Sequence, residues 1–145
     1  MNFACMIATM SLIIATPALA REDVKNFTVK ARMMAMSSIV RNMRTLGGMA
    51  KGAIAFDLDE AKAALANINK TSKTVPALFK DNEMDPKSEA LPAIWTNFAD
   101  FTDKSEAMED TAAKALANFS SQDDLFPSMR ALGGTCKACH STYRK

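Results

Sequence analysis

The chain has 145 residues and a net charge of +2, from 18 basic and 16 acidic side chains. That length suits one domain with a single core, and the near balance of charge, with no run of one sign, speaks against a nucleic-acid partner or a charged tail. Apolar residues make up 48%, many of them Ala, Leu and Met, while Gly and Pro number five each; with few Val, Ile, Tyr and Trp, this composition favours helix over sheet.

Residues 1–20 read differently from the rest. Met1 to Ala20 carries no charged side chain, holds an apolar stretch from Met6 to Ala15, and closes on the small-x-small pattern Ala18-Leu19-Ala20 before Arg21-Glu22-Asp23. We expect a secretory signal cleaved after Ala20, although no Lys or Arg precedes the apolar stretch. The competing reading, a membrane anchor, meets a stretch that is short against the roughly 20 residues a span needs. Cys5 would leave with the signal, and residues 21–145 would form the mature, exported domain, with the periplasm as its expected compartment.

Four segments then show an apolar repeat in alternating steps of four and three, the pattern of a helix that buries one stripe in a bundle. The first runs Val29, Met33, Met36, Val40, Met43, Gly47, Ala50. The second runs Leu58, Ala61, Leu65, Ile68, Ser72, Val75, Phe79, with Asp57 and Glu60 as a capping-box-like start and Pro76 expected to end or kink it near Val75. Asp81 to Ser88 is the longest polar connection. The third runs Leu91, Ile94, Phe98, Phe101, Ser105, Met108, Ala112, Ala115, Phe119, with Pro92 tolerated in its first turn. The fourth runs Leu125, Met129, Leu132, Cys136, Cys139, Tyr143, after a junction in which Ser121 and Asp124 resemble a cap. Four helices with mostly short connections fold most simply as an all-α, antiparallel four-helix bundle.

Cys136-Lys137-Ala138-Cys139-His140 is a C-x-x-C-H sequence, the attachment pattern of c-type haem. Two thiols at this spacing can each form a thioether with a haem vinyl group, and the adjacent His then lies under the iron as proximal ligand. His140 follows Cys136 by four residues, so the two share a helical face, and Gly133-Gly134 presents no side chain to a close macrocycle. The alternatives explain less. A disulfide leaves His140 without a role, a thioredoxin-like site wants strands, and a structural zinc site needs four N or S ligands. His140 is the single histidine of the chain, so ligation by two histidines of one molecule is impossible. The sixth position is left to Met, another weak ligand, water, a gas or nothing.

With the motif near the C-terminus, in Gly134-Thr135-Cys136-Lys137-Ala138-Cys139-His140-Ser141-Thr142-Tyr143-Arg144, the chain resembles the cytochrome c′ family, the class II cytochromes c. Val29-Lys30-Ala31-Arg32, Lys51-Gly52 and Pro92-Ala93-Ile94-Trp95 add to the resemblance. The resemblance implies one covalent haem c between the first, third and last helices, with Arg32 and Arg144 approaching its propionates. It also puts Met36, four residues after Arg32, on the distal side of the iron. In the low-spin branch, such as cytochromes c-556 and c-554, a Met at that position ligates the iron; in the high-spin branch an apolar residue there leaves the iron open. From the residues alone Met36 is hardly distinguished from Met33, Met34 and Met43.

The expected function is a periplasmic one-electron carrier with a low-spin His140/Met36 haem, and not an enzyme, since no catalytic triad, carboxylate dyad or phosphate loop is recognisable. The alternative is a five-coordinate cytochrome c′ that binds nitric oxide or carbon monoxide. Expected partners are periplasmic or membrane redox proteins, with Lys25, Lys30, Lys137 and Lys145 as docking charges for an acidic surface, and the resemblance further implies a homodimer through the first two helices.

Overall fold

The computed structural model describes residues 24–145; the expected signal, residues 1–20, lies outside the described residues. The helices are α1 (Phe27–Ala50), α2 (Leu58–Leu78), a single turn α3 (Ala93–Thr96), α4 (Phe98–Asn118) and α5 (Leu125–Tyr143), with a 3₁₀ turn at Gln122–Asp124. The first two helices, and the 3₁₀ turn that leads into α5, start where a side chain takes up free backbone N–H groups. Asn26 Oδ1 accepts from Val29 N at 3.0 Å, and Asp57 Oδ1 from Glu60 N at 2.8 Å. Asp124 Oδ2 accepts from the N–H groups of Ser120 and Ser121 at 2.8 and 2.9 Å. At the far end of α1, Gly52 takes φ 68°, a left-handed conformation that Gly adopts at no steric cost.

The four long helices form an up-down-up-down bundle: α1 packs on α2, α2 on α4, α4 on α5, and α5 closes back on α1, the pair with the least direct packing of the four. Two clusters fill the interior. The first, near the α1–α2 turn, is largely aliphatic and includes Ile39, Leu46, Met49, Leu65, Ile68, Leu125 and Leu132. The second, at the opposite end, comprises Val75, Phe79, Ile94, Phe101 and Tyr143.

Three expectations are corrected. In α1 the buried residues are Val29, Arg32, Ile39, Leu46, Gly47 and Met49: Val29 and Gly47 are buried as expected, but Arg32 and Ile39 take the places of Met33 and Val40, and Val40 is 45% exposed. Turning the helix this way buries Ile39 rather than the smaller Val40 and adds Leu46 beside Gly47, a larger apolar area removed from water, and it takes Arg32 inside. In α2 the helix continues through Pro76 to Leu78. Pro76 leaves the carbonyl of Ser72 without its helical donor, and Ser105 Oγ of α4 donates to that carbonyl at 3.1 Å. The third segment is two helices rather than one, because the chain turns out of helical geometry at Asn97 (φ −136°, ψ 54°) between α3 and α4. This break lets Trp95 reach the carbonyl of Phe79 with its indole N–H at 2.8 Å.

Candidate haem-binding site

The C-x-x-C-H sequence lies in the last two turns of α5. Cys136 and Cys139 are free thiols, both partly buried on the inward side of the helix. Burial pushes both thiols up from the ordinary cysteine range, so they remain protonated at neutral pH. His140 is also partly buried; burial first, then the nearby Arg144 charge, holds its imidazole below the ordinary value, with Glu89 opposing. A neutral imidazole is the form that binds a metal.

Burial along the helices is uneven in a way that suits a flat group. On α2 the expected stripe from Ala61 to Phe79 is buried at every position. On α1 and α5 the corresponding positions Met36, Met43, Met129, Cys136 and Cys139 are only partly buried. These residues lie along the pair of helices that pack least on each other, beside apolar neighbours. Gly133 and Gly134 also face open space, where an added Cβ would meet nothing within 4 Å. Two thiols and an imidazole on the last turns of α5, with a loosely filled seam toward α1, are a donor set and a space that fit a covalently held haem.

The structure distinguishes the methionines of α1. Met36 packs against both clusters, and Cys139 packs against the aromatic one that Met36 also touches. Met43 packs against the aliphatic cluster alone, and Met34 is 54% exposed. Met33, partly buried, packs against neither cluster, so of these four Met36 alone shares the aromatic cluster with the motif.

The two arginines are already engaged. Arg32 is 3% exposed, and its Nε, Nη1 and Nη2 donate to the carbonyls of Leu78 (2.8 Å), Glu83 (2.6 Å) and Asp81 (2.5 Å). Its guanidinium lies over the rings of Phe79 and Trp95, 4.7 and 5.3 Å from their centres. Burial lowers its pKa, which the charges of Glu83 and Asp81 oppose. Of the five N–H groups of a guanidinium, two remain. Arg144 lies just beyond α5 and pairs with Glu89, Nε donating to Oε2 at 2.6 Å. A propionate contact would draw on the donors these partners leave. One group the sequence reading passed over is Asp100, whose Oδ2 accepts from the Tyr143 hydroxyl at 2.5 Å and whose Oδ1 lies 3.3 Å from Lys104 Nζ. A carboxylate one residue before the seam Phe101 carries no sequence signal for that contact, because the partner Tyr lies on another helix.

A family model described as Cytochrome C′ matches residues 28–144. The chain belongs to the cytochrome c′ family. It is 36% identical over 117 residues to cytochrome c-556 of Agrobacterium tumefaciens, covering 80% of this chain and 95% of the relative. It is also 36% identical over 144 residues to cytochrome c-554 of Cereibacter sphaeroides, covering 94% and 93%. Among solved structures, the oxidised cytochrome c556 of Rhodopseudomonas palustris superposes with a TM-score of 0.75 at 29% identity, over 82% of this chain and 96% of that one. As a member of this family of c-type cytochromes, the chain carries covalent haem c as its cofactor.

Proposed function

We propose that this cytochrome is a one-electron carrier in which Cys136 and Cys139 hold the haem by thioethers, His140 is the proximal iron ligand and Met36 the distal one. The observation that carries the reading is the position of Met36, which, alone among the methionines of the described residues, packs against the same aromatic cluster as Cys139. The haem supplies the redox centre, an iron that cycles between ferrous and ferric. The chain's part is to hold it. Cys136 and Cys139 would hold the group by thioethers, each formed by addition of the S–H across a vinyl double bond, and the neutral His140 side chain would offer a ring nitrogen. The Met36 thioether favours the ferrous state and raises the potential relative to stronger donors. The same two ligands in both oxidation states keep reorganisation small, which suits electron transfer and not catalysis. Donors left on Arg32 and Arg144 would meet the propionates.

The proposal includes export to the periplasm through residues 1–20; among the described residues no helix is long and apolar enough to cross a membrane. Lys25 and Lys30 at the start of α1 and Lys137 and Lys145 at the end of α5 lie at the same end of the bundle, a placement that supports docking of an acidic redox protein there. Phe27 and Met34, 88% and 54% exposed on α1, support self-association through that helix.

Optical spectra of the purified haem protein, with and without carbon monoxide, test the reading. We expect a low-spin spectrum, a weak far-red sulfur-to-iron band and no response of the reduced protein to carbon monoxide. Met36→Leu should abolish the band and open the iron to the gas. A high-spin parent spectrum that shifts with carbon monoxide would replace electron transfer by gas binding, and a Met36→Leu variant that stays low-spin would remove Met36 from the iron.

A further inference from the structure

The connection between α2 and α3, residues 79–92, is fastened on both sides. Toward α1, Arg32 donates to the carbonyls of Leu78, Asp81 and Glu83, and Asn26 Nδ2 donates to Glu83 Oε2 at 2.8 Å. Toward α5, Glu89 pairs with Arg144, its carbonyl accepts from Lys145 N at 2.9 Å, and Leu91 N donates to the Tyr143 carbonyl at 3.0 Å. Trp95 locks the middle, its indole N–H shared between the carbonyls of Phe79 (2.8 Å) and Asp81 (3.1 Å). The segment thus ties the start of α1 to the end of α5.

Of the four adjacent pairs of long helices, these two pack least on each other, and on the reading above they carry Met36 and His140. We propose that residues 79–92 act as a strap that fixes the separation of the two ligand-bearing helices and so holds Met36 on the iron, with Arg32, Trp95 and Glu89 as positioning residues. The proposal rests on the His140/Met36 reading. A carbonyl cage around a buried guanidinium suits this task. Charge-assisted bonds are stronger than neutral ones, and losing one leaves a buried polar group unpaired. The Arg144–Glu89 pair is exposed and contributes less. The tether combines side-chain bonds on the α1 side with backbone bonds on the α5 side, where Ala90 and Arg144 form an antiparallel bridge.

The test leaves both arginines in place, so that contacts to the propionates survive. Trp95→Phe keeps a ring under the Arg32 guanidinium but removes the N–H to the strap. Glu89→Gln releases Arg144. In the haem-loaded double variant we expect the sulfur-to-iron band to weaken, and carbon monoxide to bind the reduced protein at a rate raised on the order of tenfold, the scale of one or two lost hydrogen bonds. Trp95→Phe alone should give most of the effect, and it serves as the readout should the double variant not fold. A parent with the band and variants with an unchanged band and gas response, even if less heat-stable, would overturn the strap while leaving Met36 on the iron. A parent without the band would overturn the ligand reading and the strap together.

Discussion

The two ends of the bundle are built on different principles. Around Leu46, Leu65, Ile68, Leu125 and Leu132, all fully buried, aliphatic side chains from α1, α2 and α5 interlock with Ala112 and Phe119 at α4. At the motif end the core is aromatic and smaller, with Phe101 at its centre: Phe79 at 5.1 Å, Phe98 at 5.8 Å and Tyr143 edge-on at 5.4 Å. Around it lie a buried guanidinium, backbone carbonyls facing inward and partly buried thiols. The aliphatic end can close without help, because apolar burial suffices there. The motif end leaves its seam between α1 and α5 loosely filled and relies on hydrogen bonds and on the haem to complete it. Stability and chemistry are therefore separable along the bundle axis, and substitutions at the two ends should move different observables.

The largest expected effect belongs to the closed end. Leu65→Ala should lower unfolding free energy by about 2–5 kcal/mol, the usual range for emptying a fully buried Leu site, while the optical spectrum of the folded fraction stays that of the parent. Denaturant titration beside an absorption scan checks both halves of this statement. A changed spectrum in the folded protein would mean that packing at the closed end reaches the iron, and the separation of the two ends would fail.

A smaller effect sharpens the boundary between them. Ser105→Ala deletes the hydroxyl that serves the Ser72 carbonyl beside Pro76, and it should cost about 1–3 kcal/mol, the penalty for a buried acceptor left unpaired. Pro76→Ala returns a helical N–H to that carbonyl. In the Pro76→Ala background the same Ser105→Ala change should cost clearly less, and a double-mutant cycle reads the difference. Equal costs in both backgrounds would show that Ser105 acts through packing rather than through the orphaned carbonyl.

The elements legible in the sequence were those set by periodicity and caps. The four segments, the Asp57–Glu60 start and the Ser121–Asp124 junction coincide with helices and turns of the structure. What escaped has one physical character: each case turns on a contact between residues distant in sequence. The apolar repeat runs through Met33 and passes over Arg32, whose burial would be costly without partners. Arg32 is in, because carbonyls 46–51 residues away receive it. Pro76, expected to end or kink α2 near Val75, lies within a helix that continues to Leu78, and Ser105 of α4 takes up the carbonyl it leaves free. The break at Asn97 lies inside an unbroken apolar repeat that gives no hint of it. Of the candidate site, the C-x-x-C-H triple was readable from spacing. Met36 was not separable from its neighbouring methionines until the clusters were known, and nothing in the sequence pointed to the partners that occupy Arg32 and Arg144.

The smallest effect concerns the hydrogen bond that ties the end of α5 to α4. The Tyr143 hydroxyl is pushed up to about 12, first by its bond to Asp100 and then by burial. Asp100 is held below the ordinary carboxylate range, first by that same bond, with Lys104 assisting. The signs follow from linkage. A raised tyrosine contributes stability that is fully present below its unfolded value, about 10, and is lost as pH climbs through about 12. A lowered carboxylate contributes stability that is present above its unfolded value and is lost as pH falls through its folded one. The bond therefore supports a plateau at neutral pH and weakens on both sides. Tyr143→Phe keeps the ring against Phe101 and removes the hydroxyl, so the melting temperature should lose its alkaline fall and part of its acid fall, with little change of spectrum. The acid fall should persist in part, because the Lys104–Asp100 pair remains. An alkaline fall equal to the parent's would assign that limb to another group and leave Tyr143 as a packing residue of the aromatic end.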